Sequence, residues 1–275
     1  MKALDKIRKI LNENSLDIKE VQEIVCHVLK VEKTQLYTKN PEITSNEEKL
    51  INHLIERRLN REPLQYILGE CIFYNIKIKV GPGVLIPRPE TEIIVEEVIR
   101  RQNLIKKTGY RVLDLCTGSG CIALAVAKNI PQFHVFGIDI SEKAVMYAKK
   151  NKVLNNVENI NFVVGDLFEP FKEKVFSCIT ANPPYVKTEE VFNLQPEIRD
   201  FEPFEALNGG VDGLNFYRKI IENAHKYLLK DGLIFLEIGM GQAETVQNLA
   251  LAEGFEVLEI VKDLAGIERV MILKK

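Results

Sequence analysis

The chain has 275 residues, 46% of them apolar and 28% charged, with a net charge of −2. This is the balance of a water-soluble protein with one main domain and a smaller companion, and no stretch approaches the roughly 20 apolar residues that cross a bilayer. Without a surplus of positive charge, a nucleic-acid partner would need a local basic patch and is not expected.

Residues 1–11 mix Lys2, Asp5, Lys6, Arg8 and Lys9 with apolar residues, as an amphipathic helix does and a signal peptide does not, so a cytoplasmic protein is expected. Apolar residues then recur at helical spacing: Leu4, Ile7, Ile10 and Leu11; Val21, Ile24, Val25 and Val28; Leu50, Leu54 and Ile55. Residues 1–70 are therefore expected to form a small helical domain, either purely structural or used to dock a substrate. Ser45 with Glu48 reads as a capping box, preceded by a turn at Asn40-Pro41. Residues 71–89 read as a hairpin linker: Ile76, Ile78 and Val80 alternate after a turn at Tyr74-Asn75. Pro87-Arg88-Pro89 then delays the next helix until Glu90.

From residue 90 to 275 short apolar strands alternate with helical stretches. The strands are expected at 111–116, 135–139, 161–164, 176–181 and 233–238, with helices at 120–128, 141–151, 216–229 and 243–252. The last two strands, 255–261 and 269–273, are joined by a turn around Ala265-Gly266 that is too short for a helical crossover, so they should pair antiparallel. A mostly parallel seven-stranded α/β sheet with a terminal antiparallel hairpin resembles the Rossmann-like fold of class I methyltransferases.

Asp114, Cys116, Thr117, Gly118, Ser119 and Gly120 lie where the first large-sheet strand turns into its helix, at the edge where open α/β sheets bind ligands. Glycines there allow a ligand to approach the backbone. The turn is shared with NAD enzymes, and Ala123 completes a G-x-G-x-x-A pattern; the NTPase lysine is absent. Asp139 ends the second strand, placed to accept bonds from ribose hydroxyls. After the third strand, Asp166 is placed for an adenine amino group and Leu167 for the ring face. Asp114 either orders the glycine loop or faces the cationic end of a cofactor. These residues argue for adenosine and leave its attached chemistry open. The five cysteines and four histidines are scattered without metal-ligand spacing, so reduced thiols and no metal are expected.

Asn182-Pro183-Pro184-Tyr185 follows the fourth strand on the same edge. An amide or aromatic amino nitrogen delocalises its lone pair and attacks poorly. The Asn182 side-chain carbonyl and the Pro183 backbone carbonyl can each accept one of its hydrogens, and those bonds strengthen as charge develops on nitrogen. Proline rigidity keeps the second carbonyl aimed, and Tyr185 offers a flat face for stacking.

With Gln65-Tyr66-Ile67-Leu68-Gly69, the run from Val84 to Glu92, and Glu202-Pro203, Gly209-Gly210 and Asp212-Gly213-Leu214, these motifs resemble the HemK/PrmC family over nearly the whole chain. Members are protein-(glutamine-N5) methyltransferases that use S-adenosylmethionine to modify the Gly-Gly-Gln loop of peptide chain release factors. The resemblance implies that 116–120, Asp139, Leu167 and Asn182 contact the cofactor and that Asn182 through Tyr185 grip the glutamine. Cys116 departs from the glycine more usual there. Arg88 and Glu90 either help close the site or form a stabilising ion pair, and the long connection 186–212 is expected to form a wall or lid. The alternatives are a nucleic-acid amino methyltransferase, an NAD-dependent oxidoreductase and a noncatalytic binding module.

Overall fold

The structure is a computed structural model that describes residues 1–171 and 175–275. It divides into two compact units, residues 1–69 with 196–201, and residues 70–195 with 202–275.

The first unit is helical: α1 (Ala3–Glu13), α2 (Ile18–Leu29), α3 (Lys33–Lys39), α4 (Ser45–Leu59) and α5 (Leu64–Leu68). Its core contains most of the expected periodic positions, among them Ile7, Ile10, Val21, Ile24, Leu54 and Ile55, joined by Leu36 and Ile67; Leu50, expected inside, is exposed and its neighbour Ile51 is buried instead. The capping box of α4 lies one residue earlier than the spacing of Ser45 and Glu48 predicts. Thr44 is the cap: its hydroxyl accepts from the Glu47 amide, and the Glu47 carboxylate accepts from the Thr44 amide at 2.8 Å. Glu48 is thereby left to pair with the buried Lys6, at 3.0 Å. The segment 196–201 belongs to this unit because Glu197 accepts from both Arg58 (3.2 Å) and Arg61 (2.7 Å), a tie with no local sequence signal.

The second unit opens with the hairpin β1 (Glu70–Phe73) and β2 (Ile76–Lys79), whose turn residues Tyr74 and Asn75 are both left-handed, as a two-residue hairpin requires. A short 3₁₀ turn at Pro89–Thr91 leads into α6 (Glu92–Arg100) and α7 (Gln102–Thr108). There follow β3 (Arg111–Leu115), α8 (Cys121–Asn129), β4 (His134–Asp139), α9 (Glu142–Leu154), β5 (Ile160–Val164) and β6 (Phe176–Ala181). Two short helices, α10 (Thr188–Val191) and α11 (Pro196–Arg199), precede α12 (Asn215–Tyr227), β7 (Leu228–Glu237), α13 (Ala243–Ala252), β8 (Glu256–Lys262) and β9 (Glu268–Lys274). Strand β7 starts earlier than expected because the chain leaves α12 directly into extended backbone and absorbs the excess in an irregular register around Cys178.

The sheet order is β5-β4-β3-β6-β7-β9-β8, parallel except for β9, which pairs antiparallel with both β7 and β8. The terminal hairpin thus forms as the short turn requires. Strand order reverses at β3, which has β4 on one side and β6 on the other. Ile138, Leu115, Ala181 and Leu236 share one register row across β4, β3, β6 and β7. The residues one step beyond, Asp139, Cys116, Asn182 and Glu237, therefore emerge side by side at the carboxyl edge.

Candidate active site

The loop leaving β3 is shaped by left-handed backbone: φ is 53° at Cys116, 55° at Gly118 and 81° at Gly120. At Gly120 a Cβ would meet Phe162 at 2.8 Å and Ala148 at 3.0 Å, so only glycine lets the helix start against β5 and α9. Cys116 holds a left-handed conformation that costs an L-residue about 1–2 kcal/mol and that glycine would adopt freely. Asp114 lies beneath the loop. Fully buried, it accepts from the Thr117 hydroxyl (2.5 Å) and from the Thr180 hydroxyl (2.7 Å) on the neighbouring strand. Burial pushes its carboxyl up to about 7 against the lowering effect of those bonds. Asp114 thereby ties the glycine loop, through Thr117, to the neighbouring strand β6, through Thr180.

Asp139 holds the loop from the other side. Its Oδ2 accepts from the Gly118 amide at 2.8 Å and its Oδ1 from the Ser141 amide at 2.9 Å, while burial raises its carboxyl above the usual range. Asp166 and Leu167 follow β5, with Leu167 left-handed at φ 46°. These groups line a cavity of about 560 Å³, within the span of about 300–1,000 Å³ typical of small-molecule sites. Of the residues expected at the site, Cys116, Thr117, Gly118, Ser119, Asp139, Asp166, Leu167, Asn182 and Pro184 line it; Asp114, Gly120, Pro183 and Tyr185 do not.

The Asn182 turn is held by side chains far away in sequence. Asn182 Nδ2 donates to the Thr91 hydroxyl at 3.1 Å, and that hydroxyl donates to Glu237 Oε2 at 2.6 Å. The other oxygen of Glu237 accepts from the Tyr185 hydroxyl at 3.2 Å. Burial raises the Glu237 carboxyl to about 7 and the Tyr185 phenol well above its ordinary value. The Tyr185 carbonyl accepts from Gln242 Nε2 at 3.0 Å, and the half-buried ring packs against the core of the sheet. Tyr185 thus anchors the turn. Gly209 lies against the same turn: a Cβ there would come within 2.8 Å of the Pro184 carbonyl oxygen and of Tyr185 Cα.

Sequence reasoning did not single out Phe216, Lys219 or the individual role of Thr91, all of which line the cavity. Val84, Leu85 and Pro87 of the run 84–92 and Pro203, Glu205 and Ala206 of the connection 186–212 line it as well. Arg88 donates to the buried Glu202 at 2.6 Å, and Glu202 also accepts from the Ile86 amide, so the ion pair ties together two walls of the cavity. The cue for Glu237 was an acid at the carboxyl end of an otherwise apolar strand, and for Thr91 its place in the Pro-Arg-Pro-Glu-Thr-Glu run.

The methyltransferase small domain family matches residues 95–198, and the PrmC N-terminal domain family matches residues 2–69. Over 275 residues the chain is 72% identical to a release factor glutamine methyltransferase of Thermodesulfovibrio yellowstonii, covering 100% of this chain and 99% of the relative. The chain belongs to the release factor glutamine methyltransferase family. A Geobacter sulfurreducens member of the family is 40% identical over 274 residues, 98% of this chain and 94% of that one. Among solved structures, the T. thermophilus 16S rRNA methyltransferase RsmC in complex with AdoMet and guanosine shares the fold, with a TM-score of 0.52 and 18% identity over 75% of this chain and 49% of that chain.

Proposed function

We propose that this chain transfers a methyl group from S-adenosylmethionine to the N5 amide nitrogen of the glutamine in the Gly-Gly-Gln loop of peptide chain release factors. The observation that carries the reading is Asn182, whose Nδ2 is committed to Thr91 at the mouth of β6, leaving Oδ1 as an acceptor for a ligand in the cavity. Family membership, at 72% identity over the full chain, supports the same target.

The cavity suits this cofactor by charge. Its charged lining is Asp139, Asp166 and Glu205 against Lys219 alone among the described residues, a poor match for a pyrophosphate and a good one for a cationic group. That disfavours the NAD alternative. Asp139, its carboxylate already oriented by two backbone amides, is placed to accept the ribose hydroxyls; Asp166 takes the adenine amino group and Leu167 covers the ring. S-adenosylmethionine, when bound, supplies an electrophilic sulfonium methyl.

Asn182 Oδ1 and the Pro183 carbonyl hold the two hydrogens of the target NH₂, and their bonds tighten as positive charge grows on nitrogen. Tyr185, fixed at its hydroxyl and packed on the core of the sheet, holds the turn that aims these two acceptors. The methylated nitrogen is strongly acidic and releases its proton to water, so positioning carries the catalysis. The helical unit is the docking surface for the release factor, and the reaction belongs in the cytoplasm. No helix among the described residues is long and apolar enough to cross a membrane.

The test is transfer of radiolabelled methyl groups to purified release factor, to its Gln→Ala loop variant, and to DNA. Label is expected on the first alone. Label on DNA and none on release factor would overturn the substrate assignment.

A further inference from the structure

The two ends of a carboxamide are nearly the same size and opposite in function. If Asn182 turned its NH₂ toward the target amide, donor would face donor and the grip would be lost. Some feature of the fold must select the correct end.

We propose that Glu237 is a positioning residue for methyl transfer, acting through Thr91 to fix which end of the Asn182 amide meets the target nitrogen; the proposal rests on Asn182 being the acceptor for that nitrogen. The selection follows from counting hydrogens. Thr91 has one hydroxyl hydrogen, and it points to Glu237 Oε2 at 2.6 Å, because an ionised carboxylate can only accept. Thr91 Oγ1 is then an acceptor toward Asn182, at 3.1 Å, and only the Nδ2 end satisfies it. With Oδ1 facing Thr91 instead, a single hydrogen would have to serve two acceptors, leaving one buried and unsatisfied. Thr91 and Glu237 are 1% and 2% exposed, so bulk water does not offer either a substitute partner.

The register supports the relay, since Asn182 and Glu237 emerge from the same row of adjacent strands. The groups that face the Glu237 carboxyl from the surrounding elements are Thr91 and Tyr185 by hydrogen bond and Arg269 and Glu90 by charge; Tyr217 donates to its backbone carbonyl at 3.0 Å. The direction of the relay depends on ionisation. A protonated Glu237 can donate to Thr91, freeing the Thr91 hydrogen to turn toward Asn182 and select the opposite amide end. Burial places that change at about 7. Turnover at saturating cofactor should therefore fall as pH drops through 7; cofactor affinity carries a separate pH dependence from Asp114 beneath the glycine loop, whose carboxyl burial also raises to about 7.

The experiment measures kcat, KM and their pH dependence for wild type, T91V, T91S and E237Q, with release factor and S-adenosylmethionine as substrates and S-adenosylhomocysteine binding alongside. Wild-type kcat is expected to fall by about tenfold per pH unit on the acid side of pH 7. T91V should lose about 100-fold in kcat with S-adenosylhomocysteine affinity unchanged, and T91S should recover most of that loss. E237Q should be slower than wild type and flat with pH. T91V turning over like wild type, or an acid limb that persists in E237Q, would overturn the relay alone. Should T91V also lose S-adenosylhomocysteine binding, the E237Q profile decides: flat supports the relay, sloping overturns it. A wild-type enzyme that never labels release factor would overturn both the relay and the functional reading beneath it.

Discussion

Two buried carboxyls stand at the carboxyl edge of the same sheet, Asp114 in β3 and Glu237 in β7, and each accepts from two hydroxyls. Burial pushes both to about 7. They differ in where their partners come from. Asp114 is served by Thr117, three residues on, and by Thr180, 66 residues on in the adjacent strand. The partners of Glu237 lie 146 residues away at Thr91 and 52 away at Tyr185. The cofactor loop is thus organised by its own Thr117 and by the two strands that flank it, through Asp139 and Thr180, while the catalytic turn is tied through Glu237 to the Thr91 segment outside the sheet. A cofactor cradle needs a backbone shape, which the turn and its flanking strands can set; a grip on one amide needs a particular side-chain end, which only a network can select.

The comparison predicts that damage to the two halves separates. The largest effect is expected at Asn182. Removing its acceptor in Asn182→Ala should lower kcat by about 10²–10³-fold, the usual cost of one preorganised group facing developing charge, and leave cofactor binding nearly intact. Single-turnover methyl transfer with a parallel calorimetric titration of S-adenosylhomocysteine reads both quantities. A wild-type rate would remove Asn182 from the proposed role, and a matching collapse of cofactor affinity would erase the separation between the halves.

A smaller and opposite effect is expected at Asp139, which sits in the same register row yet serves the cofactor half. Asp139→Ala removes a carboxylate bonded to the Gly118 and Ser141 amides. Charge-assisted bonds of this kind contribute about 1.5–3 kcal/mol, so S-adenosylhomocysteine affinity should fall by about 10–100-fold with kcat at saturating cofactor largely kept. Unchanged affinity would show that Asp139 acts on the loop alone.

The same division explains what was legible in the sequence. Strand and helix alternation, the glycine turn, Asp139 and the Asn182 turn were readable because each is a local pattern, and the strand register then brings them together. The Thr91–Asn182–Glu237 relay was hidden because a threonine in a proline-rich run and an acid ending an apolar strand acquire meaning only once the sheet sets them side by side. Sequence allows Asp114 two roles for a related reason: its position is evident there, but its burial under Thr117 and Thr180 is not. The α4 cap slipped by one residue because Thr44-Glu47 and Ser45-Glu48 fit the same pattern, and only the tertiary pairing of Glu48 with Lys6 separates them.

The smallest expected effect concerns stability, and it tests whether Asp114 is the internal organiser its burial implies. Its folded carboxyl titrates near 7, above the unfolded value of 3.8. The folded state therefore holds the proton more tightly than the unfolded chain. This contribution to stability is fully present below about pH 4 and is lost as pH rises through 7, at up to about 1.4 kcal/mol per pH unit. Asp114→Asn keeps the shape and cannot titrate. The hydroxyls of Thr117 and Thr180 rotate to suit one acceptor and one donor, so the variant should fold and lose this share of the slope. Glu237 titrates in the same window and should keep its own share in both proteins. Urea unfolding of wild type and variant at pH 5 and pH 7 reads the difference. Equal slopes would mean that Asp114 is no more protonated in the fold than in the unfolded chain, and the likeness between the two carboxyls would then be one of geometry alone.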